Sequence, residues 1–220
     1  MFWAQARTIA RRDLVRELRS GEVLWITIPF GAVGMLLIPL AIGTDAPLLS
    51  RIGPGMFWVV VLLFGILVAV RKTAIETPEQ RDHLALLGID PAARFAGRVI
   101  ASSVLLLTFE IIVGIVAVAL YDPALTDAWW LIVIVPMVAA GLALLGTLSG
   151  SIAAASGVGT VLVPLLVAPL AVPLLLAASQ ALEGLQQDRS ILTAVLLMAL
   201  VICITAIAGV LAARPLQETR

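Results

Sequence analysis

Side chains able to do chemistry are scarce in this chain, and their positions decide what it can attempt. Glu110 is the one acidic residue deep inside an apolar run, where a charge costs about 2.5–3.5 kcal/mol on insertion scales and must face protein or water. It reads either as a substrate or proton contact, or as a carboxyl hydrogen-bonded to a neighbouring helix with help from Ser102, Ser103 or Thr108. The sole histidine, His83, falls in a polar segment and the sole cysteine, Cys203, in an apolar run, so a structural zinc site cannot be assembled and no internal disulfide can form. No C-x-x-C-H motif occurs, and the serine-containing stretch from Gly146 to Gly150 has no intramembrane histidine to activate a nucleophile. The only lysine, Lys72, follows no glycine at phosphate-loop spacing, which removes that route to ATP. No enzymatic activity, no metal and no cofactor bound by this chain alone are expected.

Prolines and glycines carry a second kind of signal. Pro164, Pro169 and Pro173 fall in one apolar run, each without a backbone N–H, so the helix there is expected to kink or break, as helices lining transport pathways do; simple packing kinks are the other reading. Pro29 and Pro39 bend the first run similarly. Gly146 and Gly150 form a small-x-x-x-small pair through which another helix can approach. Trp129 and Trp130 stand at the start of an apolar run, where indoles favour the headgroup layer.

These side chains must be positioned by membrane-embedded elements. The chain has 220 residues, 61% hydrophobic and 13% charged, against about 45–50% and 25% in soluble domains. Its apolar residues can supply six spans of about 20 residues with little left for an extramembrane domain. Apolar stretches run from Val23 to Gly43, Pro54 to Val70, Gly97 to Leu120, Trp129 to Leu148, Val158 to Ser179 and Ile191 to Ala213. They are apolar on every face, which excludes the alternating strands of a barrel. The expected fold is therefore all-α, a single polytopic membrane domain over residues 1–220.

Basic residues orient it. Arg7, Arg11, Arg12, Arg16 and Arg19 precede the first span, Arg71, Lys72, Arg81, Arg94 and Arg98 fall between the second and third, and Arg214 and Arg220 follow the sixth. Only Arg51 and Arg189 lie on the other side, a split that places both termini in the cytoplasm. Lys plus Arg balance Asp plus Glu at 14 each, which gives no reason to expect a nucleic-acid partner. Residues 1–20 place Trp3, Ala6, Ala10, Leu14 and Leu18 near one helical face, predicting an amphipathic helix at the membrane interface in contact with lipid.

The cytoplasmic segment 71–98 contains a short helix signal. Thr77 suits an N-cap, Pro78 the first helical position, Glu79 and Asp82 the early turns and Gly88 the end. Leu84 and Leu87 then share one face that calls for a groove on another protein, the membrane surface being the alternative.

The segment Leu48-Leu49-Ser50-Arg51-Ile52-Gly53-Pro54-Gly55-Met56-Phe57-Trp58-Val59, read here as the first outer loop leading into the second span, resembles the haem exporter protein B family. The opening Met1-Phe2-Trp3, Leu145-Gly146-Thr147 and the proline-bearing fifth span agree more loosely. Family members carry an acidic segment followed by L-E-Q-L where this chain has Arg81-Asp82-His83-Leu84, so its acidic cluster is thinned. The resemblance implies an inner-membrane ABC permease that works as two copies with a separate ATP-binding subunit and haem-handling cytochrome c maturation proteins. Glu79, Arg81, Asp82, Leu84 and Leu87 would form the contact with the ATPase, with ATP bound on that partner and haem the handled species. Tyr121 is the one outer candidate for axial haem ligation. Three alternatives remain on sequence: a general ABC-2-type exporter of lipid, polysaccharide or drug, a proton-coupled secondary transporter using Glu110, and a non-transporting membrane scaffold.

Overall fold

The computed structural model describes residues 2–21, 23–43, 45–75, 89–123, 127–156 and 159–213, and among them every regular element is helical. Helix α1 spans Phe2–Ser20, and a wide turn of π-helix over Val23–Thr27 feeds α2, Ile28–Ile42. Then come α3 (Ala46–Ile75), α4 (Pro91–Tyr121), α5 (Leu131–Ser156, entered through a tight turn at Ala128–Trp130), α6 (Leu162–Gln186) and α7 (Leu192–Ala213). The helices α2 to α7 supply six segments long and apolar enough to cross a membrane. The protein is a multi-pass membrane protein of all-α class.

Several boundaries differ from the sequence reading. Helix α3 begins at Ala46 and runs through Pro54, so Leu48–Gly53 is helical and not a loop. Arg71 and Lys72 extend α3, and Arg94 and Arg98 lie inside α4. Hydropathy marks where apolar side chains stop, whereas a helix continues as long as its backbone bonds and caps hold. The start of α4 shows such a cap: Asp90 accepts from the Ala92 N–H at 3.1 Å, with Pro91 opening the helix. Helix α6 is unbroken from Leu162 to Gln186, which corrects the expected interruption at Pro164, Pro169 and Pro173. Pro164 falls in the first turn, where its N–H would lack a partner anyway, and Pro169 and Pro173 each remove one bond from a helix otherwise held by packing.

The bundle is organised around α5, which packs against α3, α4, α6 and α7 and is buried from Val138 to Gly150 along most of its length. Apolar burial gives little drive inside lipid, so close approach between backbones matters more. Glycines on α5 permit it. A Cβ at Gly146 would stand 2.9 Å from the Cβ of Ala69, one at Gly150 would strike the Thr73 hydroxyl, and one at Gly141 would collide with Leu174 of α6. Gly65 in turn lies against Leu142, so α3 and α5 meet along a seam of small residues, as the Gly146–Gly150 pair predicted. By contrast α2 and α7 stand at the periphery, with Phe30, Leu37, Leu40, Leu196, Ile207 and Leu211 exposed on their outer faces.

Candidate functional site

Three regions gather the residues with chemical potential, and the first explains the segment 48–59. Pro39 lies inside α2 and has no N–H for the carbonyl of Met35, four residues earlier. Tyr121, at the end of α4, donates its hydroxyl to that carbonyl at 2.8 Å, fully buried. Gly53 makes room for the ring, since a Cβ there would stand 2.7 Å from the Tyr121 Cβ. Pro54 repeats the arrangement in α3. It leaves the Ser50 carbonyl without its helical donor, and the side-chain amide of Gln186 on α6 donates to that carbonyl at 3.1 Å. The Ser50 hydroxyl donates to the Asp122 carbonyl at 3.1 Å, where Asp122 takes a left-handed backbone, φ 40°, at the end of α4. Thus Ser50, Gly53 and Pro54 knot α2, α3, α4 and α6 together at one end of the bundle, called here the signature end. Tyr121 is consequently a strut. With its hydroxyl engaged and its ring 2% exposed, it is not the free outer ligand that the sequence offered.

The second region is a cavity of about 740 Å³ between α3, α4 and α5 in the half of the bundle near the signature end. Its walls include Phe57, Trp58, Leu107, Glu110, Gly114 and Pro136, and its mouth passes the exposed Ile111, Ile115 and Ile132. Glu110 is 1% exposed, and among the described residues neither carboxyl oxygen has a hydrogen-bond partner, nor does the Trp58 indole N–H. The hydrogen bond expected between Glu110 and a neighbouring helix is therefore not made. The side chains one turn away on α4 are Leu106, Leu107, Val113 and Gly114, all without polar groups. Thr108 donates to the Val104 carbonyl at 2.8 Å, and Ser102 lies two turns below, where it accepts from Lys72.

The third region lies at the opposite end, where α3 runs out and α4 begins, called here the loop end. Lys72 turns inward and donates to the Ser102 hydroxyl at 2.9 Å. Asp13 and Glu17 of α1 and Arg98 of α4 stand within electrostatic reach of it. Helix α1 is seated on α4 by Ala6, Ile9 and Ala10. Gly97 lies so close that a Cβ there would stand 2.6 Å from the Ala6 carbonyl oxygen. The Gln5 side-chain oxygen accepts the Asp90 N–H at 3.4 Å. So the acidic residues of α1 face the bundle, and Arg11, Arg12, Arg16 and Arg19 face outward with Trp3 and Leu18 exposed. Part of the apolar face expected to meet lipid is thus spent on protein contact. The predicted coupling residues Glu79, Arg81, Asp82, Leu84 and Leu87 lie outside the described residues.

Sequence reasoning had selected Glu110 and placed it within a span, as found. It missed Trp58, Gln186 and Lys72 as participants. The signal for Gln186 was present, because each intrahelical proline announces a carbonyl four residues earlier that needs a donor. Among the described residues no group of three or more His, Cys, Asp or Glu side chains is placed to hold a metal.

Comparison with known proteins places the sequence in a family. The family model described as CcmB protein matches residues 4–218. Three similar curated proteins are each named heme exporter protein B. That of Bradyrhizobium diazoefficiens is 31% identical over 210 residues, covering 88% of this chain and 91% of its own. Those of Haemophilus influenzae and Rhodobacter capsulatus are 29% and 28% identical, over 80% and 79% of this chain and 80% of each of theirs. A match from the fourth residue almost to the end, through the knot that Ser50, Gly53 and Pro54 tie, leaves one conclusion: the chain belongs to the CcmB protein family.

Proposed function

We infer that this chain is the membrane permease subunit of an ATP-driven transporter that delivers haem for c-type cytochrome assembly. The observation that carries it is membership of the CcmB protein family, with relatives named heme exporter protein B across about four-fifths or more of both chains. That membership favours haem delivery over the general exporter and the proton-coupled transporter. ATP hydrolysis belongs to a separate ATP-binding subunit, and this chain is not itself an enzyme. It acts as one permease domain in the bacterial inner membrane, paired with a second copy and with haem-handling maturation proteins.

In this reading both termini lie in the cytoplasm, in keeping with the basic-residue split and with α1 packing at the same end as the loop. The segment from Glu79 to Leu87 couples to the ATPase, with Leu84 and Leu87 as its apolar face. Pro169 and Pro173, inside α6, give it points at which to bend along the pathway, with Pro164 at its start. The test is purification of the tagged chain in mild detergent with mass spectrometry of its companions. An ATP-binding subunit should copurify and be lost when Leu84 and Leu87 are both replaced by Asp. Absence of an ATPase beside intact protein overturns the permease assignment. Normal levels of mature c-type cytochromes in a deletion strain overturn the haem assignment.

A further inference from the structure

The cavity beside Glu110 poses a problem that lipid cannot solve. Its walls bury a carboxyl and an indole N–H, both without partners, and such groups are costly in an apolar medium. Acyl chains offer neither donor nor acceptor. Phospholipid headgroups are out of reach, because Glu110 lies eleven residues, or about 16 Å of helix, from the end of α4 at Tyr121.

The register of the two helices fixes how the polar groups are disposed. Phe64 packs on Phe109, with ring centroids 5.1 Å apart, and Phe57 faces Gly114. In that antiparallel register the backbone of Trp58 lies roughly one helical turn, about 5–7 Å, nearer the signature end than that of Glu110. An occupant that satisfies both must be lipid-soluble and uncharged. It must present an acceptor to Trp58 and a donor to Glu110 about one turn apart.

We propose that this cavity is a binding site, entered from the membrane between Ile111, Ile115 and Ile132, for a lipid-soluble quinol-type molecule. Its ring lies between Trp58 and Glu110, and its tail lies along the apolar wall of α4. Such a ring carries two para oxygens on opposite edges. One accepts from the Trp58 indole, and the hydroxyl at the other donates to a Glu110 oxygen, which can accept in either protonation state. Phe57 and Pro136 supply apolar walls for the ring. The site stands independently of the haem assignment, since it is built within this chain, from α3, α4 and α5 with Leu182 of α6.

The test measures binding of decylhydroquinone, 4-decylphenol and decylbenzene to the protein in nanodiscs with its copurifying subunits, corrected for partition into empty nanodiscs. Each satisfied buried hydrogen bond is worth about two- to tenfold in affinity. Decylhydroquinone, which makes two, should therefore bind about five- to a hundredfold tighter than decylbenzene, with 4-decylphenol between them. Glu110→Leu should remove the share of that advantage due to Glu110, leaving the share due to Trp58, without weakening decylbenzene, and Glu110→Gln should keep more of it because the amide oxygen still accepts. Equal binding of the three compounds overturns the proposal and makes the cavity a slot for any alkyl chain. Absence of saturable binding also overturns it, leaving water or a partner's helix as the occupant. The comparison of ligands on the unaltered protein decides the matter even if Glu110→Leu fails to fold.

Discussion

Removing the Tyr121 hydroxyl should weaken the bundle by an amount set by Pro39, 82 residues away in sequence. The bond from Tyr121 to the Met35 carbonyl is buried and 2.8 Å long. The carbonyl has no N–H four residues ahead because that residue is proline. Interhelical hydrogen bonds in membranes average about 0.6 kcal/mol and reach about 1.7. Here the carbonyl loses the donor that replaced its helical one, so Tyr121→Phe should cost about 1–1.7 kcal/mol. In a Pro39→Ala background the alanine N–H can take the Met35 carbonyl in the ordinary helical way. The same Tyr121→Phe change should then cost less than about 0.5 kcal/mol. Equilibrium unfolding in mixed micelles of wild type, both single variants and the double variant yields the coupling directly. An equal cost of Tyr121→Phe in both backgrounds would refute the reasoning that the tyrosine stands in for the proline's missing donor.

Two further changes probe the other contacts. Gly97→Val places side-chain atoms against the Ala6 carbonyl and Ile9; overpacking of about 1–3 kcal/mol should lift α1 from α4 and speed tryptic cleavage among Arg7 to Arg19, and unchanged cleavage would show that α1 is not held there. Gly146→Ala brings a Cβ to 2.9 Å from that of Ala69, so it should lower the thermal midpoint while adding Ala69→Gly restores it; no relief in the double variant would mean that α3 and α5 do not meet along that line.

The legibility of this chain in its sequence varied with the kind of force involved. Six spans were readable because bilayer insertion selects long apolar runs, and Glu110 stood out as the one acid deep within them. Helix ends were harder, since Leu48–Gly53 and Arg71–Lys72 continue α3 on backbone hydrogen bonds that hydropathy does not see. The role of segment 48–59 was recognisable only as a resemblance. Its physical basis depends on Met35, Tyr121 and Gln186, brought from three other helices. Lys72 was counted as a loop cation, yet its partner Ser102 and its neighbours Asp13 and Glu17 depend on how α1 docks, which no local pattern encodes. Trp58 entered the sequence reading only within the segment 48–59, and the cavity it lines shows its indole N–H unpaired among the described residues.

The two ends of α3 are held by unlike materials. Near Ser50 and Gly53 it is pinned by side chains bonded to main chain, which have one correct position. Toward Ile75 it packs closely on α5 through Gly65, Ala69 and Thr73 against Leu142, Gly146 and Gly150, with one side-chain bond, from Lys72 to Ser102 of α4. A tilt of α3 about Gly53 would make it a lever. From Gly53 to Ile75 the arm is 22 residues, about 33 Å, so each degree of tilt carries the tip of α3 about 0.6 Å. Lys72 rides near that tip, within electrostatic reach of Asp13 and Glu17 of α1. A push of a few ångströms on the segment after Ile75 would therefore arrive at the Trp58 wall of the cavity as a small rotation, because Trp58 lies only five residues from the pivot at Gly53.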